Sequence, residues 1–412
     1  MKKFTIILWC IIAFGAYSQN VGIGVAVPHP SAKLEVQDTS RGVLIPRLST
    51  TQRDANITSP ATGLIIYNTT CNVLQYWDGT QWVSLIPSTQ NLSSGWCSAL
   101  TQWDYRVPIT LTNPTTNTLS DVEVPLIINT SALIGAGKMQ STGADIRFVD
   151  NSCGLLSYYI ESGLNTTTTK IWVRVPSIPA NSSVTIYMYY GNPTAAPTSD
   201  PNATFHFWED FNDLAQWSVL PGTVYSLAGG ILTITTNGYF YLNSAVPFNI
   251  NDGYIVEAKV KYHPVSTGNN YSGVLEVNSA QQGGCGSNTC GKAVIHYMRQ
   301  NSSQTVGWWA GNGAATSYNI GTSNCWVSAD NTWYEIGYKV TPTQIIFYRD
   351  GTQTCSSPTF SGWAKNLNWI IIGHFCCTND IQDTDYDWIR IRKADPSVLS
   401  TSIGTEERNV CN

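Results

Sequence analysis

Between residues 103 and 111 the chain alternates. Trp103, Tyr105, Val107, Ile109 and Leu111 share one parity, while Asp104, Arg106 and Thr110 fall between them. A period of two places successive side chains on opposite faces of an extended chain, so it predicts a strand with one buried face. The same pattern returns in Val122, Val124, Leu126 and Ile128, in Ile171, Val173 and Val175, and in Val184, Ile186 and Met188. Further along, Tyr254, Val256, Ala258, Val260 and Tyr262 oppose Glu257, Lys259 and Lys261. Shorter apolar runs at 231–234, 274–277, 293–298, 333–340, 345–348 and 385–392 predict more strands. No stretch carries a helical period. Strands separated by turns predict antiparallel sandwiches. Asp78-Gly79 and Asp350-Gly351, each between aromatic strands, predict two-residue hairpin turns.

Polar and proline-rich stretches divide the chain. Residues 88–94 and 193–202 read as linkers. They separate a segment at 19–94, one at 97–192 and one at 204–400. The strands before residue 88 are short and broken by Gly and Pro, so that segment cannot bury a deep core alone. Charged residues are only 12% of the 412, net charge is −5, and hydrophobic residues reach 42%. Sparse, slightly acidic charge argues against a nucleic-acid partner, and the apolar content argues against disorder. Residues 1–18 have the form of a signal peptide. Met1-Lys2-Lys3 precedes an apolar run, and Ala16-Tyr17-Ser18 offers a cleavage site before Gln19. No other run is long and apolar enough for a transmembrane helix. The expected location is extracellular or at the outer cell surface.

Three resemblances follow from particular residues. Val21-Gly-Ile-Gly24, Ala32-Lys-Leu-Glu-Val36, Gly42-Val-Leu-Ile-Pro-Arg-Leu48, Thr51-Gln-Arg-Asp54 and Ala61-Thr-Gly-Leu-Ile-Ile-Tyr-Asn68 make residues 19–94 resemble the stalk region of secreted Bacteroidetes proteins related to phage tail fibres. That implies a β-rich element that self-associates as a trimer or filament. Trp103-Asp-Tyr-Arg-Val-Pro-Ile-Thr-Leu-Thr-Asn113, Gly143-Ala-Asp-Ile-Arg-Phe148, Lys170-Ile-Trp-Val-Arg-Val-Pro176 and Ile186-Tyr-Met-Tyr-Tyr-Gly-Asn192 make residues 97–192 resemble domain of unknown function 2341. Trp208-Glu-Asp-Phe211, Phe347-Tyr-Arg-Asp-Gly351 and Tyr386-Asp-Trp-Ile-Arg390 make residues 204–400 resemble concanavalin-like lectin and laminin-G-like jelly rolls. The expected fold is therefore all-β: a short β-rich stalk, a middle sandwich and a C-terminal jelly roll.

Ten cysteines remain once the signal peptide is set aside, an even number that reads as disulfides in an exported chain. Cys285 and Cys290 form the best local pair. Cys376 and Cys377, being vicinal, are expected to reach separate partners, with Cys325 and Cys355 nearest in sequence. For glycan binding the candidates are Trp308 and Trp309, set among glycines, with Tyr318, Trp326 and Trp363, because aromatic rings stack on the apolar faces of sugars. Since neighbours on a strand face opposite ways, at least one of the two adjacent tryptophans is expected in the core. The jelly-roll resemblance implies a structural Ca2+ between the first and last strands, with Asp210 and Asp387 as ligands and Asn212 beside them. Glycoside hydrolysis needs two carboxylates flanking the bond. Glu257 and Glu276 each stand alone, and Asp383, Asp385 and Asp387 suit a cation or a loop better, so no catalytic residue is assigned and an enzyme is not expected. The reading is a secreted or cell-surface adhesion protein that recognises glycans through its jelly roll. The alternatives are a structural subunit of an extracellular appendage and, third, a polysaccharide-degrading hydrolase.

Overall fold

The computed structural model describes residues 20–71, 73–85, 96–235, 238–264, 271–281, 293–300, 303–314, 319–374, 383–393 and 399–409. They fall into two compact units, one up to Thr101 and one over Gln102–Asn409. The first unit has a parallel strand pair, Val21–Ile23 with Leu34–Val36, and a four-stranded sheet in the order Arg47–Leu48, Ile65–Asn68, Val73–Trp77 and Trp82–Leu85. Thr50–Asn56 is a helix that the strand pattern does not announce. Ser49 and Gln52 close a capping box at its start, satisfying two otherwise orphaned backbone N–H groups. Beneath it Arg53 donates to Gln75 (2.7 Å), and Asn68 donates to Gln75 and Thr50 (both 2.9 Å), so the small core is partly a polar network. The Asp78-Gly79 turn differs from expectation. Trp77 pairs with Trp82, so the loop spans residues 78–81. The Asp78 carboxylate accepts from the backbone N–H groups of Thr80 (2.7 Å) and Gln81 (2.8 Å), and this Asx turn holds the wider loop.

The second unit holds two sandwiches. In the middle one, a sheet ordered Leu155–Leu156, Arg147–Val149, Ser182–Tyr190, Tyr105–Asn113 and Ser400–Ile403 faces a sheet of Tyr158–Ser162, Thr169–Ile178 and Leu119–Ile128. Between them lie the apolar residues that the alternation marked, among them Ile109, Leu111, Val124, Leu126, Ile171, Val173 and Ile186. The strand Ser400–Ile403 comes from beyond the jelly roll. It and Glu407–Arg408 both pair with Tyr105–Asn113, so the jelly roll is an insertion in the middle sandwich. Glu407 pairs with Arg106 (2.7 Å), and Glu406 bonds Lys138 and accepts from the Tyr190 hydroxyl, which fastens this return.

The jelly roll stacks two larger sheets. The first runs Tyr225–Ala228, Ile231–Ile234, Thr384–Lys393, Tyr254–Tyr262, Thr332–Val340, Ile345–Arg349 and Thr352–Ser356, with Phe207–Glu209 also paired to Thr384–Lys393. The second runs Trp217–Val219, Gly238–Leu242, Trp369–His374, Tyr271–Asn278, Ala293–Gln300, Thr305–Asn312 and Gly321–Val327. Their shared core includes Val256, Ala258, Val260, Leu275, Ile295, Tyr297, Trp308 and Phe347. Arg349 pairs with Thr352 across Asp350 (φ 49°) and Gly351 (φ 75°), the two left-handed residues of a type I′ hairpin turn, as expected.

Cys325 is bonded to Cys355, joining an edge strand of each sheet. This corrects the expectation that they serve Cys376 and Cys377: the sandwich brings two strand edges together, whereas sequence distance does not. Cys71, Cys97 and Cys153 are also disulfide-bonded. Cys285, Cys290, Cys376 and Cys377 lie outside the described residues, as do residues 1–18. Among the described residues no helix is long and apolar enough to cross a membrane.

Candidate glycan-binding face

The two tryptophans separate as their parity requires. Trp308 shares its face with Val306 and Ala310 and is 2% exposed in the core, stacked on Phe347 at 5.4 Å. It therefore leaves the candidate site. Trp309 points to the other face of the second sheet and is half-buried. Trp326 is buried and donates its indole N–H to the Tyr297 hydroxyl (2.8 Å). Trp363 is also corrected. It packs edge-on against Phe360 and the core and donates to the Thr341 carbonyl (2.9 Å), tying a loop rather than lining a groove. Tyr318 lies outside the described residues.

Strand register sets Trp309 in a row. Across the outer face of the second sheet, Tyr241 pairs with Ile371, Ile371 with Glu276, Glu276 with His296, His296 with Trp309, and Trp309 with Thr322. Directly opposed residues on neighbouring strands point to the same face. The row thus has an aromatic ring towards each end and an acid–imidazole pair in its middle. His296 Nδ1 is 3.1 Å from Glu276 Oε2, with side-chain exposures of 17% and 3%. Asn278 donates to the other Glu276 oxygen at 2.7 Å. Tyr239 lies on the same strand and face as Tyr241, 5.8 Å away ring to ring. Burial pushes the Tyr239 phenol up, helped by the negative charge of Glu276. So the floor sets the polar Glu276, Asn278 and half-buried His296 beside the buried, apolar Ile371, and the half-buried Tyr241 and Trp309 form its flanks. Aromatic faces flanking a few fixed hydrogen-bonding groups are what a sugar chain requires.

The sequence held a faint sign of this face. Glu276 and Asn278 alternate with Leu275 and Val277, and His296 sits between Ile295 and Tyr297, so polar groups occupy the off-core parity. Which strands lie side by side, and hence the row, was not legible.

The other sheet disposes of the remaining acids. Glu257 accepts from Arg390 (2.6 Å) and twice from Arg392 (both 2.8 Å), and Arg390 also reaches Glu161 of the middle sandwich (3.1 Å). The two guanidinium groups hold the Glu257 carboxyl far below its ordinary range despite burial. Trp172, Phe205, Trp208 and Trp388 pack around this pair, so it belongs to the joint between the two sandwiches. Asp385 bonds Lys261 (2.6 Å) and lies 3.1 Å from His263. Asp387 pairs with Lys259 at 2.7 Å, and Asp210 accepts from the Asn212 backbone N–H at 3.3 Å. Among the described residues no group of three or more His, Cys, Asp or Glu is gathered to hold a metal.

Solved structures similar to this chain include a β-glucanase of Bacillus licheniformis, at 12% identity over 46% of this chain and 97% of that one, TM-score 0.34. A κ-carrageenase of Zobellia galactanivorans follows at 14% identity, 48% and 98% coverage and TM-score 0.32. A laminarinase of Flavobacterium sp. UMI-01 gives 16%, 46%, 100% and 0.36 for the same measures. No curated protein matches the chain. Two segments match family models: residues 22–96 match the phage tail like trimerisation region, and residues 142–220 match the domain of unknown function DUF2341.

Proposed function

We propose that this is an extracellular adhesion protein that binds glycan on the outer face of the second jelly-roll sheet and self-associates through its N-terminal stalk. The row from Tyr241 to Trp309, with Glu276 and His296 between, carries the reading. Binding rather than cleavage is favoured by the chemistry of the face. A retaining or inverting hydrolase needs a second carboxylate across the scissile bond, and the polar neighbours of Glu276 among the described residues are the amide of Asn278 and the imidazole of His296. The Cys325–Cys355 disulfide and the signal-like residues 1–18 support export.

Self-association has its own support. Val21 (55% exposed), Ile23 (57%), Leu34 (59%), Val43 (63%) and Leu44 (86%) leave the stalk with apolar side chains facing outward. Strands too shallow to bury their apolar side chains alone can bury them against copies. The match of residues 22–96 to a trimerisation region fits a second and third copy as the cover.

The test is a glycan microarray with the full chain, paired with a reducing-sugar assay on the polysaccharides that bind. The expected result is binding that Trp309→Ala weakens at least tenfold, with no sugar released. Sugar release abolished by Glu276→Gln would replace adhesion with hydrolysis.

A further inference from the structure

The row that carries glycan binding also limits what glycan fits, and this inference rests on that reading. Tyr241 and Trp309 stand on strands four steps apart in the sheet order. Neighbouring strands lie about 4.8 Å apart, so the two rings are separated by ~19 Å measured across the strands. A chain that touches both must cross the strands rather than follow them. One strand spacing is close to the advance of one pyranose ring along an extended chain, so four spacings with a ring seated at each end take about five rings.

Charge narrows the class further. Among the described residues on this face, the formal charge is the Glu276 carboxylate, and none is Lys or Arg. Its partner His296 at 3.1 Å can at most cancel that charge. A sulfate or uronate laid over the row would lose water and meet a nearly buried carboxylate with no Lys or Arg among the described residues of the face in return, an arrangement that rejects anions. Neutral hydroxyls suffer no such penalty, and the Glu276–His296–Asn278 group offers them both donors and acceptors.

We infer that the face selects neutral, linear glycan chains of about five rings, lying across the strands between Tyr241 and Trp309, and discriminates against sulfated or uronate-bearing chains.

Isothermal titration of the full chain tests this. The probes are neutral gluco-, manno- and xylo-oligosaccharides of two to eight rings, with carboxymethylated and sulfated derivatives of the same backbones. Affinity for the neutral series should rise up to about five rings and then level off. The charged derivatives should bind at least tenfold more weakly, and Glu276→Gln should narrow that gap. Trp309→Ala should weaken both classes together. If the Gln variant does not fold, the comparison of neutral and charged chains on the unaltered protein stands by itself. Equal or tighter binding of the charged chains, or affinity already complete at two rings, would overturn the inference. Binding of no chain in either class would instead remove the glycan reading on which it rests.

Discussion

Adjacent residues of one type can have unlike duties, and Trp308 and Trp309 separate them by parity. Trp308 fills the core against Phe347. Replacing it with Ala should destabilise the protein by about 3–5 kcal/mol, read from urea denaturation. Trp309→Ala should stay within about 1 kcal/mol of the parent by the same measurement, because the residue lies off the core. A second contrast concerns Glu123, whose carboxyl is wholly buried on the middle sandwich facing the jelly roll. One oxygen accepts from the Lys393 backbone N–H (2.8 Å), while the other has no hydrogen-bond partner and lies 3.5 Å from His206 Nε2. Burial pushes this carboxyl from its ordinary 4.5 up to about 8, against the weaker pull of Arg174 and Arg392. The folded state therefore holds a proton that the unfolded chain releases, so stability falls as pH rises from 4.5 through about 8. Burial also lowers His206, which acts on the acid side of its ordinary 6.5. The window from pH 7 to 9 thus isolates Glu123. Melting temperature should decline across it in the parent and stay nearly flat in Glu123→Gln. Equal slopes in the two proteins would refute the assignment.

At the scale of the element, the C-terminal return governs the middle sandwich. Ser400–Ile403 and Glu407–Arg408 cover the edge of Tyr105–Asn113, with Glu406 and Glu407 anchored to Lys138, Tyr190 and Arg106. Removing residues 399–412 should expose that edge and lower the melting temperature by several degrees, about 2–4 °C for each kcal/mol lost. An unchanged melting curve would show that the return contributes nothing. This element also marks where sequence reading stops. Ile109, Leu111, Val124 and Ile171 were readable as core because alternation is local. The turn at Asp350-Gly351 was readable because left-handed residues are a local demand. The return of Ser400–Ile403, the Cys325–Cys355 bond and the row across the second sheet are pairings between distant strands, which no local pattern specifies. Glu257 looked isolated in the sequence for the same reason: its partners Arg390 and Arg392 are on a strand far along the chain.

At the scale of the whole molecule, the proposed function couples self-association by the stalk to glycan binding by the jelly roll. The stalk half predicts that replacing Val21 and Ile23 by Ser lowers the mass in solution from three chains to one, by light scattering after gel filtration. A monomeric parent would contradict it. The binding half is the central claim, and titration of its best array ligand into the full chain and into the Tyr241→Ala, Trp309→Ala double variant tests it most directly. The account predicts measurable binding by the parent and at least a hundredfold loss in a double variant that still melts cooperatively. Undiminished binding by that variant would contradict it.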